Sequence, residues 1–198
     1  MINCLLAGVG GQGIVLASKL LAQAAMDKGL TVRTAETIGM AQRGGCVVSH
    51  VRMGEKLYSP LISLKSADVV IGFEPAEAVR CLSYLKEGGT VIVSQVAIKP
   101  VTDSLSNTDY EGDEMLKYLG CHVSRLIVVD SDAIIVECES VKVLNIALLG
   151  AAVATGDLGI SLEDMEKIII KKLPQPFIAK NLKALQAGAR NVLKERIS

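Results

Sequence analysis

A glycine-rich turn near the beginning of the chain constrains its possible folds more than any other feature. An apolar run at residues 2–7 leads into the sequence GVGGQG at residues 8–13, and a segment with helical periodicity follows at residues 14–28. Gly29 is a typical helix stop, and residues 30–36 have the pattern of a second strand. The order of strand, glycine turn, helix and strand predicts a βαβ unit.

The middle of the chain continues this alternation of strands and helices. Further strands are predicted at residues 46–53, 68–73, 90–96 and 126–130, and helices at residues 76–85 and 115–120. Gly54 is expected to turn the chain into a short hairpin strand at residues 56–58, and Gly88-Gly89 to end the segment before the strand at residue 90. Residues 99–113 are polar and turn-rich, which predicts a mobile loop.

The C-terminal part of the chain, from about residue 131 to 198, has a helical pattern. Ser161 and Asp164 have capping-box spacing, and residues 145–154 form a very apolar helix that is either buried or faces a partner. Apolar strands that alternate with helices are typical of a parallel sheet covered on both faces. We therefore expect one α/β domain over residues 1–198: a Rossmann-like, mostly parallel sheet with helices on both faces and a helical C-terminal region.

Composition excludes several classes of protein. The chain has 198 residues, 50% of them apolar, so it can build a core without disulfides or metal. Lys and Arg total 21 and Asp and Glu total 21, so the net charge gives no basic footprint for nucleic acid. Two Phe, four Tyr and no Trp leave few side chains for base stacking. A net charge near zero with high apolar content favours association with other protein chains.

The termini and apolar runs carry no sign of a membrane protein. Residues 1–13 lack the basic start of a signal peptide, and the most apolar run, residues 143–155, is too short to span a bilayer. The expectation is a cytoplasmic protein with no membrane partner.

The cysteines and histidines are not spaced as metal ligands. The five cysteines are isolated from one another and lie at Cys4, Cys46, Cys81, Cys121 and Cys138. No C-x-x-C pair occurs, and neither histidine has a ligand spacing. This pattern predicts no zinc or iron–sulfur site within the chain and fits a reducing compartment.

The first glycine motif has two possible roles. It matches G-x-G-x-x-G between a strand and a helix, where small residues let backbone N–H groups approach an anion. Glu36, at the end of the second predicted strand, is near the position of a ribose-binding acid, so a nicotinamide or flavin site is one hypothesis. The alternative is that the glycines allow close helix–strand packing or hold the backbone of another subunit.

A second glycine loop, GMAQRGG at residues 39–45, is expected at the same sheet edge. Arg43 could bind a phosphate or a carboxylate there, or it could lie in an ordinary loop. His50 is interpreted as a structural histidine rather than an acid or base, and a Cys46 nucleophile lacks a neighbouring base. Glu74, before Pro75, either belongs to this edge or starts a helix.

Taken together, the motifs resemble the gamma subunit of 2-oxoacid:ferredoxin oxidoreductases. The resemblance includes both glycine loops, the sequence VSHVR at residues 48–52 and the sequence SPLI at residues 59–62. With NIALLG at residues 145–150 and NLKA at residues 181–184, it covers nearly the whole chain. Within the family, the beta subunit of indolepyruvate:ferredoxin oxidoreductases is the most similar type.

This resemblance implies a subunit without cofactors of its own. Such enzymes decarboxylate a 2-oxoacid such as indolepyruvate or pyruvate, produce acyl-CoA and CO2, and reduce ferredoxin in anaerobic metabolism. Thiamine diphosphate and iron–sulfur clusters are expected in partner subunits, with coenzyme A as a possible ligand of this chain. The isolated chain is expected to be inactive, and it could form a homodimer in place of its missing partner.

The resemblance also changes the interpretation of the glycine loops. They could bind a phosphate of coenzyme A or dock a segment of a partner, and the sequence does not choose between these. The candidate binding residues are Gly8, Gly10, Gly11, Gln12, Gly13, Gln42, Arg43, Gly44 and Gly45. No catalytic residue and no metal ligand is assigned. The competing hypotheses are a stand-alone NAD(P)- or flavin-binding oxidoreductase and a purely structural adaptor.

Overall fold

A six-stranded sheet organises the computed structural model, which describes residues 1–39, 45–98, 110 and 112–195. Its strands are β1 (Ile2–Val9), β2 (Thr31–Ile38), β3 (Cys46–Gly54), β4 (Ala67–Gly72), β5 (Leu85–Ser94) and β6 (Arg125–Val129). They lie in the order β2-β3-β1-β4-β5-β6. Strands β1, β4, β5 and β6 are parallel, whereas β3 runs antiparallel to both of its neighbours.

Helices cover both faces of this sheet. They are α1 (Ile14–Asp27), α2 (Pro75–Arg80), α3 (Asp113–His122), α4 (Ser131–Cys138), α5 (Leu144–Ala154), α6 (Leu162–Lys172) and α7 (Gln175–Glu195). The core on one face is built with α1, α5, α6 and α7, and a smaller core on the other face is built with α2 and α3. The predicted α/β class, the mostly parallel sheet and the helical C-terminal region are confirmed.

The predicted βαβ unit over residues 2–36 is present in split form: β1 and β2 are parallel and joined by α1, but β3 lies between them. Strand β3 is largely buried and pairs along its whole length with both neighbours, from Cys46 opposite Val9 to Met53 opposite Ile2. Strand β2 carries Thr, Arg and Glu side chains, and most of its residues are exposed. Such a strand is better placed at the edge of the sheet than beside the buried β1.

Two shorter predictions are wrong. Residues 56–58 form no strand; the Arg33 side chain instead donates a hydrogen bond to the Leu57 carbonyl (3.0 Å) and holds this segment. Gly88 and Gly89 lie inside β5, because the preceding helix ends at Arg80 and the strand already begins at Leu85. The shift of register between β4 and β5 accommodates this irregular start.

The apolar helix α5 is part of the core. Residues 145–153 are all buried, so the buried alternative for this helix is the correct one. The capping box at α6 is confirmed: Ser161 accepts from the Asp164 N–H, and Asp164 accepts from the Ser161 N–H. These hydrogen bonds from Ser161, together with nearby Lys28, lower the pKa of Asp164 to about 2. In the described ranges, no helix has the length and apolar character needed to cross a membrane.

Candidate functional site

The candidate site lies where the chain leaves the sheet in opposite directions. After β1 the chain enters α1 on one face, and after β4 it enters α2 on the other face. Strands β1 and β4 are parallel neighbours, so their carboxyl ends meet at one edge. A crevice forms at such a switch point in open α/β sheets, and ligands are commonly bound there.

The first glycine loop needs its glycines for two different reasons. A Cβ on Gly8 would lie only 2.5 Å from Gln12 Oε1 and 2.7 Å from Phe73 Cβ, so no side chain fits at this position. Gly11 and Gly13 have φ values of 103° and 78°, a left-handed conformation that favours glycine. The loop therefore turns tightly from β1 into α1 and keeps its backbone accessible.

Gln12 ties this loop to the neighbouring strand. Its Oε1 accepts a hydrogen bond from the Val9 N–H (2.8 Å), and its Nε2 donates one to the Phe73 carbonyl (2.7 Å). Both ends of the side-chain amide are thus used within the protein. Gln12 positions the loop, and the backbone remains the part that can meet a ligand.

The two glycine loops come together as expected where the structure describes them. The Gly10 N–H donates to the Gly45 carbonyl (2.8 Å), and the Gly39 N–H donates to the Cys46 carbonyl (2.9 Å). The remaining predicted residues of the second loop, Gln42, Arg43 and Gly44, lie outside the described residues.

The N-terminus of α5 meets the same loop. Asn145, in the first turn of α5, donates a hydrogen bond from Nδ2 to the Gly13 carbonyl (3.3 Å). No side chain caps the N-terminus of α1. Helix α5 continues directly from a 3₁₀ turn at Val141–Val143 that Ser140 caps, and Asn145 Oδ1 accepts from the Ile146 N–H (2.9 Å). A helix N-terminus carries partial positive charge and unpaired N–H groups, so the α1 end is the one that can meet an anion in this region.

A cavity of about 410 Å³ lies between these two helix ends. Gly11, Gly13, Lys142 and Asn145 are among its polar lining residues. Apolar side chains, including Leu16, Phe73, Val96, Val141 and Leu148, line the remainder. Its volume is in the range of small-molecule sites, and the arrangement suits a ligand with an anionic group and an apolar portion.

Lys142 and Asn145 are site residues that the sequence interpretation missed. The contact between Asn145 and Gly13 joins residues 132 positions apart. Asn145 begins the NIALLG segment noted in the sequence, but no local pattern there or at Lys142 predicts a place at the glycine loop, because that place depends on the packing of α5 on the sheet.

Glu36 is not placed as a ribose-binding acid. It lies on β2, separated from β1 by β3, and accepts a hydrogen bond from the Ser18 hydroxyl (3.4 Å). It is not among the described residues that line the cavity. The prediction that Glu36 would lie beside the glycine loop is therefore wrong, and the insertion of β3 is the reason.

His50 has the environment of a structural side chain. It is buried, its Nδ1 accepts a hydrogen bond from the Ile62 N–H (3.2 Å), and its ring meets Tyr84 edge to face. Burial lowers the pKa of His50 below its ordinary value, and the nearby Arg52 guanidinium adds to this shift. The neutral ring thus holds the β3–β4 connection and does not face the cavity.

This environment predicts a pH dependence of stability. The unfolded chain protonates His50 below about pH 6.5, whereas the folded chain resists protonation until a lower pH. His50 is therefore expected to contribute fully to the free energy of unfolding above about pH 6.5. This contribution should fall as the pH is lowered from about 6.5 to the pKa of His50 in the folded chain. Urea unfolding of His50→Gln at pH 7.5 and 5.5 should show a smaller difference than the wild type. The exposed His122 is the matched control, and a His122→Gln variant that flattens the dependence equally would contradict this.

Glu74 and Cys46 contribute to structure at this edge. Glu74 Oε2 caps α2 by accepting from the Glu77 N–H (3.0 Å), which confirms the alternative that this residue starts a helix. Burial raises the pKa of the Cys46 thiol to about 11, and the Glu77 carboxylate adds to the shift. At neutral pH Cys46 is a thiol and therefore a poor nucleophile.

The chain is similar to a known family over almost its full length. A family model described as pyruvate ferredoxin/flavodoxin oxidoreductase matches residues 3–191. The indolepyruvate oxidoreductase subunit IorB of Archaeoglobus fulgidus is 37% identical over 198 residues, which cover 100% of this chain and 98% of that one. The pyruvate/ketoisovalerate oxidoreductases common subunit gamma of Thermococcus litoralis is 32% identical, with 93% of each chain covered.

A solved structure has the same fold. The gamma subunit of a keto/oxoacid ferredoxin oxidoreductase from Geobacter sulfurreducens superposes with a TM-score of 0.71 at 23% identity, covering 98% of this chain and 99% of that one. The resemblance noted in the glycine motifs is thus confirmed by matches that include both glycine loops, the sheet and the C-terminal helices. The chain belongs to the pyruvate ferredoxin/flavodoxin oxidoreductase family, among its gamma-type chains.

Proposed function

We propose that this chain is the gamma-type subunit of a 2-oxoacid:ferredoxin oxidoreductase. The complex decarboxylates a 2-oxoacid, transfers the acyl group to coenzyme A and passes electrons to ferredoxin. The observation that carries this proposal is the full-length similarity to named subunits of such enzymes. The same similarity supports the subunit interpretation over a stand-alone nicotinamide- or flavin-binding oxidoreductase.

The substrate of the complex is proposed to be an arylpyruvate such as indolepyruvate. Identity is 37% to an indolepyruvate oxidoreductase subunit and 32% to a gamma subunit shared by pyruvate and ketoisovalerate enzymes. A gamma chain common to two enzymes cannot by itself select the 2-oxoacid. Substrate choice is therefore assigned to the partner subunit.

The thiamine diphosphate and the iron–sulfur clusters are assigned to partner subunits, in a cytoplasmic complex. Within the part of the chain that the structure describes, no three His, Cys, Asp or Glu side chains form a group that could hold a metal ion. Burial also raises the pKa of Cys4 and Cys81, which disfavours the thiolate form that cluster ligation requires. The described residues do not fit an iron–sulfur cluster, so no electron-transfer step is assigned to them.

The cavity at the glycine loop is proposed to bind an anionic part of coenzyme A. The uncapped N-terminus of α1 lies at its edge and Lys142 is among its lining residues, which favours phosphate. Its apolar walls suit the uncharged part of the same ligand. The volume of about 410 Å³ accommodates a portion of coenzyme A, so the rest of the molecule would extend toward the partner.

The candidate residues divide into two roles in this proposal. Gly11 and Gly13 offer backbone close to the ligand, while Gly8 and Gln12 fix the shape of the loop and Gly10 joins it to the second loop through its hydrogen bond to Gly45. The second loop adds its own candidates to the same edge: Gln42, Arg43, Gly44 and Gly45. Arg43 is the side chain assigned to a phosphate there.

Anaerobic reconstitution tests the subunit assignment. The thiamine-diphosphate-bearing partner is purified alone and mixed with this chain, and ferredoxin reduction is followed with indolepyruvate and with pyruvate. We expect CoA-dependent turnover at least tenfold higher with both chains than with either one. A chain that never associates with the partner, yet binds NADH or NADPH saturably, would restore the stand-alone alternative.

A further inference from the structure

Positive charge is concentrated from the second half of α6 to the last turn of α7, whereas the first half of α6 is acidic. Residues 167–194 contain seven basic side chains and no acidic one, which leaves 14 basic and 21 acidic residues in the rest of the chain. The seven are Lys167, Lys171, Lys172, Lys180, Lys183, Arg190 and Lys194. Although the net charge is zero, the basic residues are concentrated in one region and the rest of the chain has an excess of acidic residues.

The turn between α6 and α7 combines this charge with exposed apolar side chains. We call residues 170–180 the basic corner; nine of its eleven residues are exposed. Ile170 is 55% exposed and Phe177 is 57% exposed. In the described part of the chain, Lys171 forms an ion pair with Asp27 (2.9 Å), and Lys172 interacts with the same carboxylate without forming an ion pair. Lys180 forms no ion pair with a described residue. The corner thus presents exposed apolar side chains together with lysines that are only partly compensated.

The basic corner is firmly attached to the core. Helix α6 buries Met165, Ile168 and Ile169 completely or almost completely, and Leu173 and Ile178 pack partly against the same core. The Phe177 N–H donates to the Pro174 carbonyl (2.9 Å), which closes the turn. Phe177 is therefore held at the surface by an ordered support, and little conformational entropy is lost when it binds.

The corner and the glycine-loop cavity are separate surfaces. Lys171 contacts Asp27 at the C-terminal end of α1, whereas the cavity lies at the N-terminal end of the same helix. Helix α1 has 14 residues, so the two ends are about 20 Å apart. A ligand in the cavity does not cover the corner.

We propose that the basic corner docks onto an acidic surface of the thiamine-diphosphate-bearing partner subunit, with Phe177 and Ile170 at the centre of the contact. The inference rests on the proposed function as a subunit. An apolar centre within a charged rim is the usual anatomy of a protein interface, and aromatic side chains contribute most of its energy. A permanent partner accounts for apolar side chains that a monomer would leave exposed to water.

A second copy of this chain fits the corner less well. In a two-fold dimer through this surface, Lys172 and Lys180 of one copy would meet the same lysines of the other, and like charges repel. A head-to-tail contact between the basic corner and the acidic remainder would be heterologous, and it would build a ring or an open filament of many copies. A different, acidic chain avoids both difficulties.

The test measures the dissociation constant between this chain and the purified partner subunit, at 50 mM and at 300 mM salt. The double variant Lys172→Glu/Lys180→Glu should raise the dissociation constant at least tenfold at low salt and less at high salt. Phe177→Ala should raise it at least tenfold at both salt concentrations. The matched control Lys19→Glu/Lys117→Glu makes the same change of charge at two exposed positions elsewhere and should change it less than twofold. Circular dichroism of each variant verifies its fold.

Several results would overturn the proposal. Variants at the corner that bind the partner within twofold of the wild type would remove this surface from the interface. An unchanged partner affinity with a KM for ferredoxin raised fivefold would assign the corner to the electron carrier. Binding to phosphatidylglycerol vesicles that the charge reversal abolishes, again with unchanged partner affinity, would assign it to a membrane. If the wild-type chain itself fails to bind the partner, the proposed function fails instead.

Discussion

Gly188→Ala should destabilise the protein by about 3 kcal/mol or more, because it forces two closely packed helix backbones apart. A Cβ on Gly188 in α7 would lie 1.8 Å from the Ala147 carbonyl oxygen of α5. A Cβ on Gly150 in α5 would lie 2.0 Å from the Leu185 carbonyl oxygen of α7. The contact is therefore reciprocal, and both obstacles are backbone atoms that cannot rotate away. Gly150→Ala is expected to have an effect of similar size.

Urea unfolding of the purified variants measures this effect. Gly120→Ala is the matched control, since Gly120 is exposed in α3 and an added Cβ would meet nothing nearer than 4.0 Å. Alanine favours a helix over glycine, so this control should gain about 0.5–1 kcal/mol. A Gly188→Ala protein as stable as the wild type would show that α5 and α7 are not packed this closely.

Lys142→Glu is expected to raise the KM for coenzyme A of the assembled enzyme at least tenfold, which corresponds to about 1.4 kcal/mol. The substitution places a negative charge at a cavity whose lining includes Lys142 and the uncapped N-terminus of α1, both of which favour an anion. Lys142 is exposed, so the change should leave the fold and the assembly of the complex intact. The effect should appear in the KM for coenzyme A and not in the KM for the 2-oxoacid.

The control for this prediction is Lys19→Glu, an equal change of charge at another exposed position of the same face. It should leave the KM for coenzyme A within twofold of the wild type. If Lys142→Glu weakens assembly and leaves the KM for coenzyme A unchanged, the cavity holds a segment of the partner instead of the cosubstrate.

The sequence predicts where the strands and helices lie along the chain better than it predicts which strands are neighbours in the sheet. The strand at residues 46–53 is visible as an alternating pattern, and β3 covers Cys46–Gly54. Its position between β1 and β2 depends on long-range pairing, which local periodicity does not report. The polar side chains of β2 were the available signal for an edge strand. A polar, exposed strand of this kind is typical of a sheet edge and favours a position for residues 30–36 away from the buried β1.

The site shows the same division between local and long-range information. The glycine turn at residues 8–13 was predicted from its own spacing, because tight turns and left-handed φ values are local demands. The sequence identifies Gln12 only as a candidate binding residue. Its hydrogen bond to the Phe73 carbonyl depends on the pairing of β1 with β4, which the local sequence does not report. Lys142 and Asn145 line the cavity because of the way α5 packs on the sheet, and no local sequence pattern predicts that packing.

The central claim is that the glycine-loop cavity of this chain holds an anionic part of coenzyme A within a 2-oxoacid:ferredoxin oxidoreductase. The most direct test is a structure of the assembled, anaerobic complex with coenzyme A. We expect a phosphate within hydrogen-bond distance of the Gly11 or Gly13 backbone N–H and close to the Lys142 ammonium group. A cavity filled by a segment of the partner, with coenzyme A bound elsewhere, would contradict the claim.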